Sequence, residues 1–368
     1  MSAQRILIVR LSALGDVVHA LPLLDALRRA RPEAHIGWLV EERAASLLEG
    51  HPQLDRLWVH PRREIEGLLR RGRALAALSA FRRFIGPLRA ERYELTIDAQ
   101  SNLRSSALAR LSGAPLRIGF GPRFAKEQSH RLSTHRVTPD EEPQLKVDRN
   151  LALLGPLGID STGARARLAI SAEATERARA LAAALGPGPL VGLHPGVSDF
   201  GAIKRWAPER YAALARRLRD ERGVHSVVTW GPGDRELAES VVARAEGAAS
   251  LAPETASILE LAALYEQCAA IVGSDTGPIH LAAALGLPVV GLYGPKDPAV
   301  YAPWDARTGK AAPTVWKNVH CSPCTLRRCD NVICMPAIEV EDVHAAVQRI
   351  LLEEEGHSSA SRGGQGVS

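Results

Sequence analysis

Two aspartates stand where chemistry is expected. Asp16 directly follows a glycine in RLSALGDVVHALP (residues 10–22), and Asp275 opens the turn of GSDTGPIH (residues 273–280). An ordinary carboxylate, with a pKa of about 4, accepts a proton from a group under attack or hydrogen bonds from a hydroxylated ligand. In the second segment a helix starts near Pro278, a residue suited to a first helical turn. The N–H groups of Thr276, Gly277 and the helix start then face outward with the positive end of the helix dipole behind them, an anion site suited to a diphosphate. Gly277 admits a ligand close to the backbone, Thr276 adds a hydroxyl and His280 lies one turn in. An acid beside an anion site is electrostatically odd, so Asp275 fits a sugar hydroxyl better than a phosphate. A helix merely capped by Asp275 or Thr276 would carry the same residues.

Two further loops have the same form. LHPGVSDFGAIKRWAP (residues 193–208) holds His194, Ser198 and Lys204, and a lysine there can neutralise charge growing on a departing phosphate. In isolation Lys204 also reads as a plain surface cation. TWGPGDREL, with Gly231, can enclose a base or ribose. No G-x-G-x-x-G opening a helix and no G-x-x-x-x-G-K-[ST] occurs, which argues against a nicotinamide dehydrogenase and a P-loop NTPase.

The elements that must position these residues alternate in type. ILIVR (residues 6–10) is a β-branched run of a buried strand, after which Val17, Val18, Leu21, Leu24 and Leu27 recur at helical spacing, so the segment reads strand, tight loop, helix. HIGWLV (35–40), RLWVH (56–60), LTIDAQ (95–100) and RIGF (117–120) are further strands, with helices over 21–30 and 103–111 between them. This alternation predicts parallel strands with crossover helices. A polar stretch over 123–143 and a helix over 145–154 follow. A second series opens at LVGLHPG (190–196) and continues through HSVVTWGPGDRE and AAIVGSDTGPIHLAAALGLPVVGLYGP.

At 368 residues the chain exceeds a single core, so two doubly wound domains facing each other across a cleft are expected. Their boundaries read 1–165, an interdomain region 166–188, and 189–338. A helix over 339–353 is expected to return to the first domain, and 354–368 has the composition of a disordered tail.

Charge excludes some functions and suggests others. The formal net charge is +5, yet residues 62–92 alone hold nine arginines against three acids. Such a run is either a solvated helix face or a platform for an anionic glycan or membrane surface. It lacks interleaved aromatics and any zinc-finger or RNA-binding signature, so nucleic acid is not expected. Arg5, Arg10 and Asp16 interrupt any signal-peptide core, and no apolar run reaches bilayer length; Pro278 to Leu292 is too short and contains His280. A soluble, cytoplasmic protein with peripheral membrane contact is expected. Cys321, Cys324, Cys329 and Cys334 form C-x2-C-x4-C-x4-C, tighter than the usual zinc pattern, so packed thiols are favoured over a metal site.

ILIVRLSALGDVVHALPLLDALRRARPEAHIGWLVE, IDAQSNLRSSALA, LHPGVSDFGAIKRWAPERY, GSDTGPIHLAAALGLPVVGLYGP and the cysteine tail together, in order over residues 5–350, resemble the ADP-heptose:lipopolysaccharide heptosyltransferases of glycosyltransferase family 9. The resemblance implies a GT-B fold of two Rossmann-like domains and metal-independent, inverting transfer of heptose from ADP-heptose, without a cofactor, to the Kdo-bearing inner core of lipopolysaccharide. It implies Asp16 as general base and Lys204 as the group that stabilises the leaving diphosphate. His194, Ser198, Gly231, Asp275, Thr276, Gly277 and His280 fall to the donor, ADP-heptose. Gly15, His19, Arg62, Arg63, Gln100 and Lys126 fall to the acceptor, Kdo-lipid A. His19 reads as a helix-face or acceptor-side residue, not a second base. Ser101 departs from the family's IDAQG, and the cysteine tail is similar to the heptosyltransferase II branch while the first half is similar to heptosyltransferase I. A heptosyl-Kdo acceptor, a nucleotide-sugar epimerase or hydrolase on the same fold, and a donor-binding protein without turnover are the competing readings.

Overall fold

A computed structural model describes residues 4–139, 144–197, 199–326 and 328–363, with the backbone alone at 199–200 and 354–363. The chain divides into two compact units, residues 1–169 and 170–368. In the first, strands β1 (Arg5–Val9), β2 (His35–Glu41), β3 (Arg56–His60), β4 (Leu95–Asp98), β5 (Leu116–Phe120) and β6 (His135–Val137) form one sheet in the order β3-β2-β1-β4-β5-β6. Every pairing is parallel. Parallel strands need both faces covered, which is why Ile6 to Val9 and Ile36 to Val40 are apolar without alternation and buried throughout.

The second unit repeats the plan. β7 (Leu190–His194), β8 (His225–Val228), β9 (Ala249–Leu251), β10 (Ala270–Ser274) and β11 (Val289–Tyr293) are followed by a small hairpin, β12 (Trp304–Asp305) and β13 (Lys310–Ala311), and by β14 (Thr314–Trp316). The sheet runs β14-β11-β10-β7-β8-β9, again all parallel. In both sheets the chain winds outward to one edge and then restarts on the other side of its first strand. The strand order therefore reverses between β1 and β4, and between β7 and β10. Loops at the carboxyl ends of such a pair diverge to opposite faces and leave a crevice, the usual ligand position in open α/β sheets. Of the loops singled out from the sequence, those after β1, β4, β7 and β10 are these four, whereas TWGPGDREL follows β8.

The structure departs from expectation at several elements. The helix read as continuous from Val17 to Leu27 is two, Leu14–Val18 and Leu21–Ala30. Pro22 sits in the first turn of the second, where its missing N–H costs nothing. The polar stretch before residue 139 contributes a 3-10 turn, Ser129–Leu132, and strand β6. Within the expected interdomain region, helix Ala172–Ala184 packs Ala174 and Ala178 on Ala263 of the second unit. The last helix, expected to return to the first domain, places Val343, Ala346, Val347, Ile350 and Leu351 in the core of the second unit, with Trp206 and Leu214. Its backbone stays helical to Gly363, past the expected start of a disordered tail, because extending a formed helix is easier than nucleating one. Residues 364–368 lie outside the described residues.

Candidate active site

Asp16 lies in the first turn of Leu14–Val18, directly after β1, with its side chain 24% exposed. Its two oxygens face two cations: Arg10 Nη2 is 3.0 Å from Oδ2 and Lys146 Nζ is 2.6 Å from Oδ1. His19 Nδ1 is 3.8 Å from Oδ1, on a ring that is almost fully buried. Burial alone raises the carboxyl pKa, but Arg10, then His19 and Lys146, outweigh it and hold the group well below the usual carboxylate range. Asp16 is therefore a carboxylate at every physiological pH. Gly15 is half-buried beside it.

The loop carrying Asp16 is tied down from β4. Gln100 Oε1 accepts the N–H groups of Leu11 (2.8 Å) and Ser12 (3.2 Å), and Arg10 donates to the Ala99 carbonyl. Gln100, expected at the acceptor, thus spends its carbonyl oxygen on positioning the β1 loop. Ser101 has φ +48, a left-handed backbone that glycine adopts without strain, and is buried. Its Oγ donates to the Asp98 carbonyl (2.9 Å) and accepts the Phe120 N–H (3.0 Å). Ser101 therefore turns inward and props β5. Asp98, fully buried, collects the hydroxyls of Ser105 and Ser106 and the N–H groups of Gln100 and Ser101. Burial nonetheless prevails and pushes its pKa up.

The expected acceptor cations are not equivalent. Arg62 is engaged, with Nε on Glu66 at 2.7 Å and Nη1 on Glu41 at 3.2 Å. Glu41, whose side chain is only 8% exposed, also takes Arg104 at 2.8 Å, so it bridges two guanidinium groups across the ends of β2 and helix Leu103–Leu111. Arg63 is exposed and donates its backbone N–H to Glu42, and the exposed Lys126 donates its backbone N–H to Ser101. Arg10, Lys146, Glu41 and Arg104 are the site residues that sequence reasoning missed. Only the presence of Arg10 at the end of β1 offered a local signal.

In the second unit, Lys204 ends the 3-10 turn Asp199–Lys204 after β7 and Asp275 follows β10; both side chains are mostly buried. Lys204 Nζ pairs with Asp275 Oδ2 and also donates to the Asp275 carbonyl at 3.2 Å, while His280 Nε2 lies 3.0 Å from Oδ1. Burial raises the Asp275 pKa, but His280 and Lys204 more than reverse it and leave the group far below the ordinary range. The acid that looked out of place beside an anion site is thereby neutralised by its own neighbours.

Thr276 occupies the N-cap of helix Gly277–Ala284 with extended backbone, and its hydroxyl donates to the Ser274 carbonyl (3.1 Å) instead of capping. The N–H groups of that first turn remain the anion-facing donors. His194, at the end of β7, is buried, and burial drops its pKa to about 4, so it is a neutral imidazole. Its Nδ1 shares a hydrogen bond with Thr229 Oγ1 at 2.9 Å. Gly196 is required by close approach, since a Cβ there would lie 2.5 Å from Asp234 Oδ2. Gly231 accepts the Asp234 N–H in the turn after β8. Ser198 lies outside the described residues.

The cysteines divide between solvent and core. Cys321 is exposed, Cys324 and Cys329 are half-buried, and Cys334 packs with Met335 in the second core. Among the described residues no group of three His, Cys, Asp or Glu side chains is placed to hold a metal ion. Cys334 packs close to Gly294, where a Cβ would lie 3.0 Å from its Sγ, and Cys321 sits in an exposed turn.

Two doubly wound sheets, each with a polar cluster at its switch point, define an α/β protein of two Rossmann-like units. The sequence profile of glycosyltransferase family 9 (heptosyltransferase) matches residues 81–332. Lipopolysaccharide heptosyltransferase 1 of Pseudomonas aeruginosa is 30% identical over 340 residues, covering 88% of this chain and 87% of that one. Lipopolysaccharide heptosyltransferase 1 of Escherichia coli K12 is 30% identical over 303 residues, covering 80% and 89%. The crystal structure of a family 9 glycosyl transferase from Veillonella parvula superposes with a TM-score of 0.81 at 25% identity, covering 96% of this chain and 98% of that one. The E. coli heptosyltransferase WaaC with ADP-2-deoxy-2-fluoro heptose shares the fold, with a TM-score of 0.72 at 22% identity over 94% and 99%. The chain belongs to glycosyltransferase family 9, the heptosyltransferases, and has their GT-B fold.

Proposed function

We propose that the protein transfers L-glycero-D-manno-heptose from ADP-heptose to Kdo in the inner core of lipopolysaccharide, with inversion, at the cytoplasmic face of the membrane. The observation that carries this reading is the likeness, over 80–88% of the chain, to heptosyltransferase 1 of two species. The site geometry supports the roles. An acceptor hydroxyl oxygen bonds to the anomeric carbon as the bond from that carbon to the diphosphate oxygen breaks on the opposite face. The hydroxyl proton passes to Asp16, and ADP leaves with the bonding electron pair.

Asp16, held ionised by Arg10, His19 and Lys146, is always ready to accept a proton but is a weak base. Transfer must therefore accompany attack, when the hydroxyl oxygen has become acidic. On the donor side, Lys204 and the first-turn N–H groups of Gly277–Ala284 meet the charge that grows on the leaving diphosphate. Asp275 and His280 hold that lysine in place, so no reorganisation is needed as charge develops. Arg63 and Lys126, exposed on the first unit, suit the anionic groups of the acceptor, and Arg62 is steered by Glu41 and Glu66. No helix among the described residues is long and apolar enough to cross a membrane.

Incubation with ADP-heptose and either Kdo-lipid A or heptosyl-Kdo-lipid A, read by product mass, tests the reading. One heptose added to the Kdo acceptor is the expected result. Addition only to the heptosyl acceptor would reassign the enzyme to the second step, and ADP release independent of any acceptor would make it a hydrolase or epimerase.

A further inference from the structure

We propose that the turn joining helices Arg62–Arg70 and Ala74–Ala90 is a docking surface for an anionic lipid bilayer. This deepens the membrane-contact part of the proposed function and rests on it. Leu69 (54% exposed), Leu75 (85%) and Leu78 (44%) are three of the eight large apolar side chains that the described residues leave in water, and they fall within ten positions. Arg70, Arg71 and Arg73 lie among them, all exposed, and residues 69–79 contain no acid. Nearby Glu64 and Glu66 are already paired with Arg83 and Arg62, whereas Arg71, Arg73 and Arg82 form no ion pair among the described residues.

The exposure is built in. Gly72 closes the first helix at φ +70, with Gly72 N–H on the Leu69 carbonyl (3.0 Å) and Arg73 N–H on the Leu68 carbonyl (2.9 Å), a Schellman closure that fixes the turn. In the second helix Ala77, Ala80, Phe84 and Leu88 recur on the inner face, packed or buried, while Leu75, Leu78 and Arg82 recur on the outer one. Leucines ringed by unpaired arginines at the tip of a rigid helical hairpin match a surface with an apolar interior under anionic head groups. A water-soluble anion would draw on the arginines alone and give the leucines no role.

Flotation of the full-length protein with phosphatidylcholine vesicles, with and without phosphatidylglycerol, tests this surface. The wild type is expected to bind the anionic vesicles and to bind the neutral ones far less. Arg71→Gln with Arg73→Gln lowers binding to anionic vesicles about 25-fold, from roughly fivefold per charge. Leu75→Ser with Leu78→Ser lowers it about 100-fold, from roughly tenfold per buried leucine, and Leu103→Ser, an exposed leucine elsewhere, leaves it unchanged. Transfer to a delipidated, water-soluble Kdo acceptor is the same in all of these variants, which also shows that they fold. Equal vesicle binding by wild type and tip variants would overturn this surface while leaving membrane contact intact. No binding of wild type to either vesicle would overturn both, with heptosyl transfer to the soluble acceptor unaffected.

Discussion

Replacing Lys204 by methionine separates the two consequences of the Lys204–Asp275–His280 cluster. Removing one partner of a buried ion pair costs about 3–5 kcal/mol, because the remaining charge is left uncompensated. Here Lys204 is 20% and Asp275 10% exposed, and His280 keeps its 3.0 Å contact, so a loss of about 2–3 kcal/mol is expected, below that range. At roughly 2–4 °C per kcal/mol this lowers the melting temperature of the second unit by about 5–10 °C. The sign with pH follows from the Asp275 carboxyl. Its folded pKa is depressed, so it contributes stability above the unfolded value that is lost as pH falls through the folded one.

Without Lys204 the Asp275 carboxyl rises towards ordinary values and protonates sooner, so the penalty of Lys204→Met is largest at neutral pH and shrinks in acid. Adding Asp275→Asn removes the stranded charge and restores most of the lost stability. It does not restore turnover, which drops about 10²–10³-fold with the loss of one leaving-group stabiliser. Calorimetry of wild type, both single variants and the double variant forms the cycle. A double variant no more stable than Lys204→Met, or a penalty independent of pH, would refute the ion-pair reasoning.

Three further outcomes are expected. The acid limb of kcat/KM, which reports Asp16, lies below the ordinary carboxylate range, so activity is flat from neutral pH to mildly acidic pH; Lys146→Met moves that limb upward, and an unmoved limb would dissociate Lys146 from Asp16. Ser101→Ala strands the buried Phe120 N–H and costs about 1–3 kcal/mol, whereas Ser101→Gly is less harmful by about 1 kcal/mol because φ +48 suits glycine, a ranking that urea unfolding checks. Glu41→Ala releases Arg62 and Arg104 together and raises KM for the acceptor with little change in kcat, as steady-state kinetics with varied acceptor would show.

The elements legible in the sequence are those with a strong local pattern. β3 and the helices Leu21–Ala30 and Leu103–Leu111 fall on their expected residues, since apolar runs and helical spacing speak within a few turns. Three of the four loops at the two switch points, those after β1, β7 and β10, were legible for the same reason: each is a glycine-bearing turn at the end of an apolar strand. What stayed hidden is long-range. Lys146 reaches Asp16 across 130 positions and Arg104 reaches Glu41 across 63, and neither lysine nor arginine carries a pattern that names its partner. Asp275 was read as a sugar contact because Lys204, 71 positions away, could not be seen to pair with it. The break at His19 and Ala20 was missed because the apolar spacing of the first short helix continues in phase into the second.

The role of Asp16 as the acceptor's base is tested most directly by Asp16→Asn in an ADP-release assay with ADP-heptose and Kdo-lipid A. With the amide in place of the carboxylate, turnover should fall about 10²–10⁴-fold while the affinity for ADP-heptose stays unchanged. Turnover within a few fold of wild type would contradict the account.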